Sequence, residues 1–272
     1  MPELPEVETT CRGIQEHICN NTINAVEVRE WQLRYLIPKN IKNKLIGRRI
    51  ADVERRAKYI LIRLKDQALD GIESQTSGLL IHLGMSGSLR IVHGKQIDEI
   101  KKHDHVDITL SNNKVLRYHD PRKFGLILWA DDLDKHKLFA HLGPEPLDEA
   151  FNAQLLHTKS RKRRVAVKPF IMDQKIVVGV GNIYASEALF KSGISPQLAA
   201  NKISLKRYAV LVENIKIILS NAIQQGGTTL RDFVNGDGQP GYFQQQLMVY
   251  GRGGEPCVHC ACILKEVRLG QR

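Results

Sequence analysis

Seven short apolar runs constrain this fold most: 24–29, 57–64, 79–83, 88–92, 105–110, 114–118 and 125–130. Each has the length of a strand and is too short for a globular helix. Turn chemistry joins several of them, as at Gly84-Met85-Ser86-Gly87 and Asn112-Asn113. Many short strands with few helices among them predict a β-sandwich. One helix precedes them, over 5–18, with Val7, Cys11, Ile14 and Ile18 at helical spacing. Residues 66–78 read as a polar surface loop.

Beyond residue 146 the pattern changes. The clearest helix spans 204–225, with Ser204 as N-cap and Gly226 as its stop. Leu205, Tyr208, Leu211, Val212, Ile215, Ile218, Leu219 and Ile223 make its predicted buried face. The glycines of 234–242 predict a loop. The expected class is α+β multidomain: a sandwich domain over 1–146, a helical domain over 147–237 and a finger region over 238–272.

The chain carries a formal net charge of +11. A positive field of that size points to an acidic partner, most commonly nucleic acid. No apolar run approaches the roughly 20 residues that span a bilayer, and no secretory signal pattern opens the chain. No membrane partner and a cytoplasmic location are therefore expected. Five cysteines, Cys11, Cys19, Cys257, Cys260 and Cys262, are odd in number and clustered. That argues against a disulfide framework and for a reducing compartment.

Removal of Met1 would leave Pro2 with a free secondary amine. Such a terminus has a reference pKa of about 7.7–8.0, well below lysine. A useful fraction is neutral near pH 7 and suited to attack on a carbonyl-type carbon, forming a Schiff base. Glu3 beside it is a candidate proton donor or acceptor. The same residues also make an ordinary helix start. Lys58 opens the run at 57–64, where strand alternation puts it on the side of Ile60, Ile62 and Leu64. Asp120-Pro-Arg122-Lys-Phe124-Gly125 reads as a tight turn. Its Arg122 and Phe124 are suited to wedge a base step and bond an unpaired base, and Met85 is an apolar probe on another turn.

Arg161-Lys-Arg163-Arg164 and the nearby Lys168 are candidate phosphate contacts. Gly179-Val-Gly-Asn182 reads as a glycine turn opening a helix, able to offer N–H groups to phosphate, with Asn182 adding a side-chain donor. Cys257-Val-His-Cys260 is half of a zinc ribbon.

PELPEVET at the terminus resembles the signature of formamidopyrimidine-DNA glycosylases. The resemblance continues, in family order, through RRAKY, HLGMSGSLR, KHDHVD, DPRKFG, GVGNIYASE, QGGTTLRDF, DGQPGYF and VYGRGGEPC. It implies a β-sandwich followed by a helix-two-turn-helix domain and a zinc finger. It implies a monomer that flips oxidised purines out of double-stranded DNA, removes them and nicks the abasic site by β,δ-elimination. Pro2, Glu3, Lys58 and Arg272 are the catalytic positions it implies. Met85, His103, Arg122, Phe124, Arg163, Lys168 and Asn182 are the DNA contacts, with Met85, Arg122 and Phe124 filling the gap left by the base. Most family members carry two arginines in the wedge turn, and here Lys123 replaces the second. The resemblance also implies one zinc ion, with Cys257 and Cys260 among its ligands. The second CxxC does not occur in these 272 residues, so a protein of this sequence is expected to hold no stoichiometric zinc. Two rivals remain: an endonuclease VIII-type glycosylase for oxidised pyrimidines, and a DNA-binding module without chemistry. PELPEV and the wedge favour the purine enzyme over the first. The Pro2, Glu3 and Lys58 set argues against the second.

Overall fold

A computed structural model describes residues 2–65, 76–227 and 247–269. The predicted loop at 234–242 and Arg272 lie outside the described residues, as does most of 66–78. The chain divides into two compact units. One runs to Ala140 and takes in Gly226 and Gly227; the other starts at His141 and takes in 247–269.

The first unit is the expected sandwich. After α1 (Leu4–Ile18) come β1 (Ile23–Val28), a short α2 (Ile41–Leu45), β2 (Arg49–Arg56), β3 (Tyr59–Lys65), β4 (Gly78–His82), β5 (Ser88–Val92), β6 (Asp104–Leu110), β7 (Val115–His119) and β8 (Leu126–Ala130). They form two four-stranded sheets, ordered β1-β6-β7-β5 and β2-β3-β4-β8, with antiparallel pairing throughout. Ile60, Ile62, Leu79 and Ile81 from one sheet meet Val106, Ile108, Leu116 and Tyr118 from the other in one core. α1 adds Val7, Cys11, Ile14 and Ile18 to it, as their helical spacing requires.

The seven predicted runs all contain strands, but β2 was not foreseen. Its sequence, RIADVERR, is mostly charged, with only Ile50 and Val53 fully buried. It has no apolar run to betray it. Lys58 also differs from expectation. It lies outside the strand expected over 57–64: Arg56 pairs with Tyr59, leaving Ala57-Lys58 as a two-residue hairpin turn. Ala57 takes φ +55° there, a left-handed conformation that costs an L-residue about 1–2 kcal/mol. Strand alternation therefore never applied to Lys58.

Register sets where the turns land. Tyr59 pairs with His82, and His82 with Leu126. The turns at 57–58, 83–87 and 120–125 therefore all leave the same end of one sheet. In the other sheet Ser88 and Asp104 both pair with His119, which brings 103 to that end too.

The second unit is helical: α3 (Ala153–Ser160), α4 (Val167–Ile171), α5 (Asn182–Lys191) and α6 (Leu205–Gln224). Ser204 caps α6 by accepting the Arg207 N–H. Of the predicted α6 face, Leu205 is exposed, because the first helical residue overhangs the packed turns. No described helix is long and apolar enough to cross a membrane.

Candidate active site and nucleic-acid interface

The N-terminal end of α1 is held tightly. Glu3 is the N-cap of α1, and its carboxylate accepts the Glu6 N–H, while Glu6 Oε2 accepts the Glu3 N–H at 2.8 Å. This reciprocal box satisfies two helix-end donors. Pro2, Glu3 and Glu6 are all buried. Gly227, at φ +80°, comes so close that an added Cβ would lie 3.1 Å from Glu6 Oε1. Helix start and candidate catalytic terminus are thus one construction.

Arg55 joins this end to the Lys58 turn. Its Nε donates to Glu8 Oε2 at 2.8 Å and its Nη1 to the Ala57 carbonyl at 3.0 Å. Burial alone would raise the Glu8 carboxyl, but bonds from Arg55 and Arg12 outweigh it and hold the group below the usual range. Lys58 itself is 7% exposed, an unusual burial for an ammonium.

His82 stands where the turns meet. Its Nδ1 accepts the Gly84 N–H at 2.8 Å, and its ring meets Tyr59 edge-on at 5.0 Å. Burial, then the charges of Lys58 and Arg34, push its imidazole down to about 4. It is therefore neutral near pH 7, which the Gly84 bond requires.

The 120–125 turn is organised by Asp120, which is fully buried. Oδ1 accepts from Ser86 Oγ at 2.8 Å; Oδ2 accepts from Gly125 N at 2.9 Å and Tyr118 OH at 3.1 Å. Two turns distant in sequence are thereby clasped together. Gly84 is obligatory in the contact, since a Cβ there would lie 2.4 Å from the Phe124 carbonyl carbon. Met85 and Phe124 are consequently exposed apolar tips on adjoining turns. Arg122 Cζ lies 4.9 Å from the Phe124 ring centroid, a cation–π contact. His103 lies against the same turn: its carbonyl accepts the Asp120 N–H at 3.1 Å, and its ring sits edge-on to His119. Arg117 braces the segment before it, donating to Asp107 and to the carbonyls of Gln96, Ile97 and Glu99.

In the second unit, Arg163 is exposed in the basic run before α4. Lys168 and Asn182 line one cleft of about 720 Å³, with Phe190, Tyr250 and Leu264 among its walls. Asn182 is the first residue of α5, and its Oδ1 is buried with no hydrogen-bond partner among the described residues. The Glu187 carboxylate accepts the N–H groups of Met248, Val249 and Tyr250 at 2.8, 2.9 and 2.8 Å. It ties the finger segment to α5. Sequence reasoning gave Glu187, Asp120, His82 and Arg55 no such roles. For Asp120 and Glu187 a signal existed, since each is an acid inside a recognised motif.

The cysteine pair forms a knuckle. Cys257 N–H bonds to Cys262 O at 2.8 Å, Ala261 N–H to Cys257 O at 3.0 Å, and Cys257 Sγ accepts the His259 N–H at 3.4 Å. A structural zinc needs four ligands. Among the described residues no group of three or more His, Cys, Asp or Glu could hold an ion. The residues described do not by themselves fit zinc.

Sequence models of two domains match the chain. The formamidopyrimidine-DNA glycosylase N-terminal domain matches residues 1–127, and the formamidopyrimidine-DNA glycosylase H2TH domain matches 142–234. The chain is 56% identical to formamidopyrimidine-DNA glycosylases of Stutzerimonas stutzeri and Pseudomonas aeruginosa, over 100% of its own length and 96% of theirs. Among solved structures it resembles a Lactococcus lactis Fpg mutant, G226P, in complex with DNA containing Fapy-dG. There the TM-score is 0.89 at 31% identity, with 100% of this chain and 96% of that one covered. It also resembles MutM (Fpg) from Thermus thermophilus, with TM-score 0.85 at 32% identity, covering 100% and 95%. A MutM in complex with DNA containing carbocyclic 8-oxo-G is similar as well, with TM-score 0.87 at 32% identity, covering 100% and 96%. Matched in both units and along its whole length, the chain belongs to the formamidopyrimidine-DNA glycosylase family.

Proposed function

We propose that this protein is a bifunctional base-excision repair enzyme. It removes oxidised purines, 8-oxoguanine and formamidopyrimidines, from duplex DNA and cleaves the abasic site that results. One observation carries the reading most: Glu8, on the helix that Glu3 caps, is tied through Arg55 to the buried Lys58 turn, at the sheet end where Met85, Arg122 and Phe124 project. A pure binding module needs neither a buried lysine on a turn nor a free terminal amine.

In this reading Pro2 nitrogen, freed by loss of Met1, attacks C1′ of the flipped nucleotide. The N–C1′ bond forms, the bond from C1′ to the base breaks, and the base leaves with a proton. Glu3 handles the proton at the sugar oxygen as the ring opens to the iminium. The iminium acidifies the C2′ proton, and its loss expels the 3′ phosphate. A second elimination expels the 5′ phosphate. Lys58 neutralises charge near the damaged nucleotide, and Arg272 assists by family analogy. Met85, Arg122 and Phe124 occupy the space that the extruded base leaves. His103, Arg163, Lys168 and Asn182 contact phosphates and position the duplex. The protein works as a monomer in the bacterial cytoplasm. The family usually carries zinc, and in this chain Cys257 and Cys260 are the thiolates able to contribute to such a site.

Borohydride reduction tests the reading. It should trap the enzyme on 8-oxoguanine duplex, with the adduct mapping to Pro2. A protein that retains Met1 and still cleaves at the normal rate would overturn it.

A further inference from the structure

Lys123, between the two wedge residues, has a backbone conformation that needs holding. Its φ is +54°, the left-handed region that costs a non-glycine residue about 1–2 kcal/mol. This reversal accompanies an arrangement in which Arg122 and Phe124 stack on each other while the Lys123 ammonium bonds to the Glu30 carboxylate. Glu30 is itself fixed, because its other oxygen accepts the Gln32 N–H at 2.9 Å. The bond from Lys123 comes first among the causes that hold the Glu30 carboxyl below its ordinary range. The segment carrying Glu30 is stitched to the same turn twice more. Arg34 N–H donates to the Gly125 carbonyl at 3.1 Å. Arg29 N–H donates to the His105 carbonyl at 2.8 Å, and His105 Nε2 lies 2.8 Å from the Asp120 carbonyl oxygen.

We infer that Glu30 is a positioning residue for lesion recognition: by tethering Lys123 it holds the left-handed turn that aims Arg122 and Phe124, and so sharpens discrimination of the base opposite the lesion. The inference rests on the proposed function, in which Arg122 contacts that base. Glu30 does not touch substrate; it acts through Lys123. The pair is partly exposed, so its effect is modest.

The test is single-turnover cleavage of 8-oxoguanine opposite C and opposite A. It compares wild type, Glu30→Lys, Lys123→Glu and the charge-exchanged double variant. Each single change should lower the C-over-A ratio roughly three- to fivefold, and the double variant should recover most of it. Loss of folded enzyme scales both substrates equally and leaves the ratio unmoved. An unchanged ratio in Glu30→Lys, or a double variant no better than the singles, overturns the inference alone. A wild type with no preference for C overturns the Arg122 reading and the inference together.

Discussion

Acidification should loosen the active end through His82. Its imidazole titrates at about 4, against an ordinary 6.5. Below pH 6.5 the unfolded chain takes up a proton that the folded chain refuses. The stability that the neutral ring contributes is therefore complete above pH 6.5 and lost as the pH falls toward 4. The full difference is about 3 kcal/mol, at 1.36 kcal/mol per unit, and about 2 kcal/mol of it should be gone by about pH 5. The loss is local as well as global. A protonated Nδ1 cannot accept the Gly84 N–H, so the Met85 turn loses its hold. His82→Asn is the informative variant, because its Oδ1 keeps an acceptor near Nδ1 and does not titrate. Denaturant unfolding near pH 7.5 and near pH 5 should show wild type losing about 2 kcal/mol more than His82→Asn. The remaining titrating groups are common to both proteins and cancel in that difference. Equal losses in the two proteins, or a ring that titrates by NMR at 6.5 or above, would refute the reasoning.

Arg122→Ala should cut the preference for 8-oxoguanine opposite C over A by about 1–3 kcal/mol of discrimination, read as a ratio of cleavage rates; an unaltered ratio would reassign Arg122. Asp120→Asn sets an amide donor against the donors of Tyr118, Gly125 or Ser86, and should destabilise the protein by about 2–3 kcal/mol in denaturant unfolding. A variant as stable as the parent would show that the clasp is not held by the charge. Metal analysis of the 272-residue protein should find less than one zinc per chain after dialysis against a chelator; a full equivalent would identify ligands beyond Cys257 and Cys260.

Local pattern alone determined a good deal. Apolar runs of strand length located seven strands, and helical spacing located α1 and α6, because period and end signals are written within a few residues of one another. The motifs marked the candidate residues, since a CxxC and a basic run keep their character wherever they lie. What tertiary structure alone decided is how those groups meet. β2 hides in a charged segment because a strand with few fully buried residues needs no apolar run. Lys58 moved from strand to turn because pairing register, not composition, ends a hairpin. Asp120 reaches Ser86 across 34 residues and Lys123 reaches Glu30 across 93. Such bonds form only after two sheets have stacked and their ends have aligned, so no local spacing carries a trace of them. The 120–125 turn and the lysine turn converge on one end of the sandwich because antiparallel register puts them there, and the Arg55–Glu8 bond ties α1 to the same end.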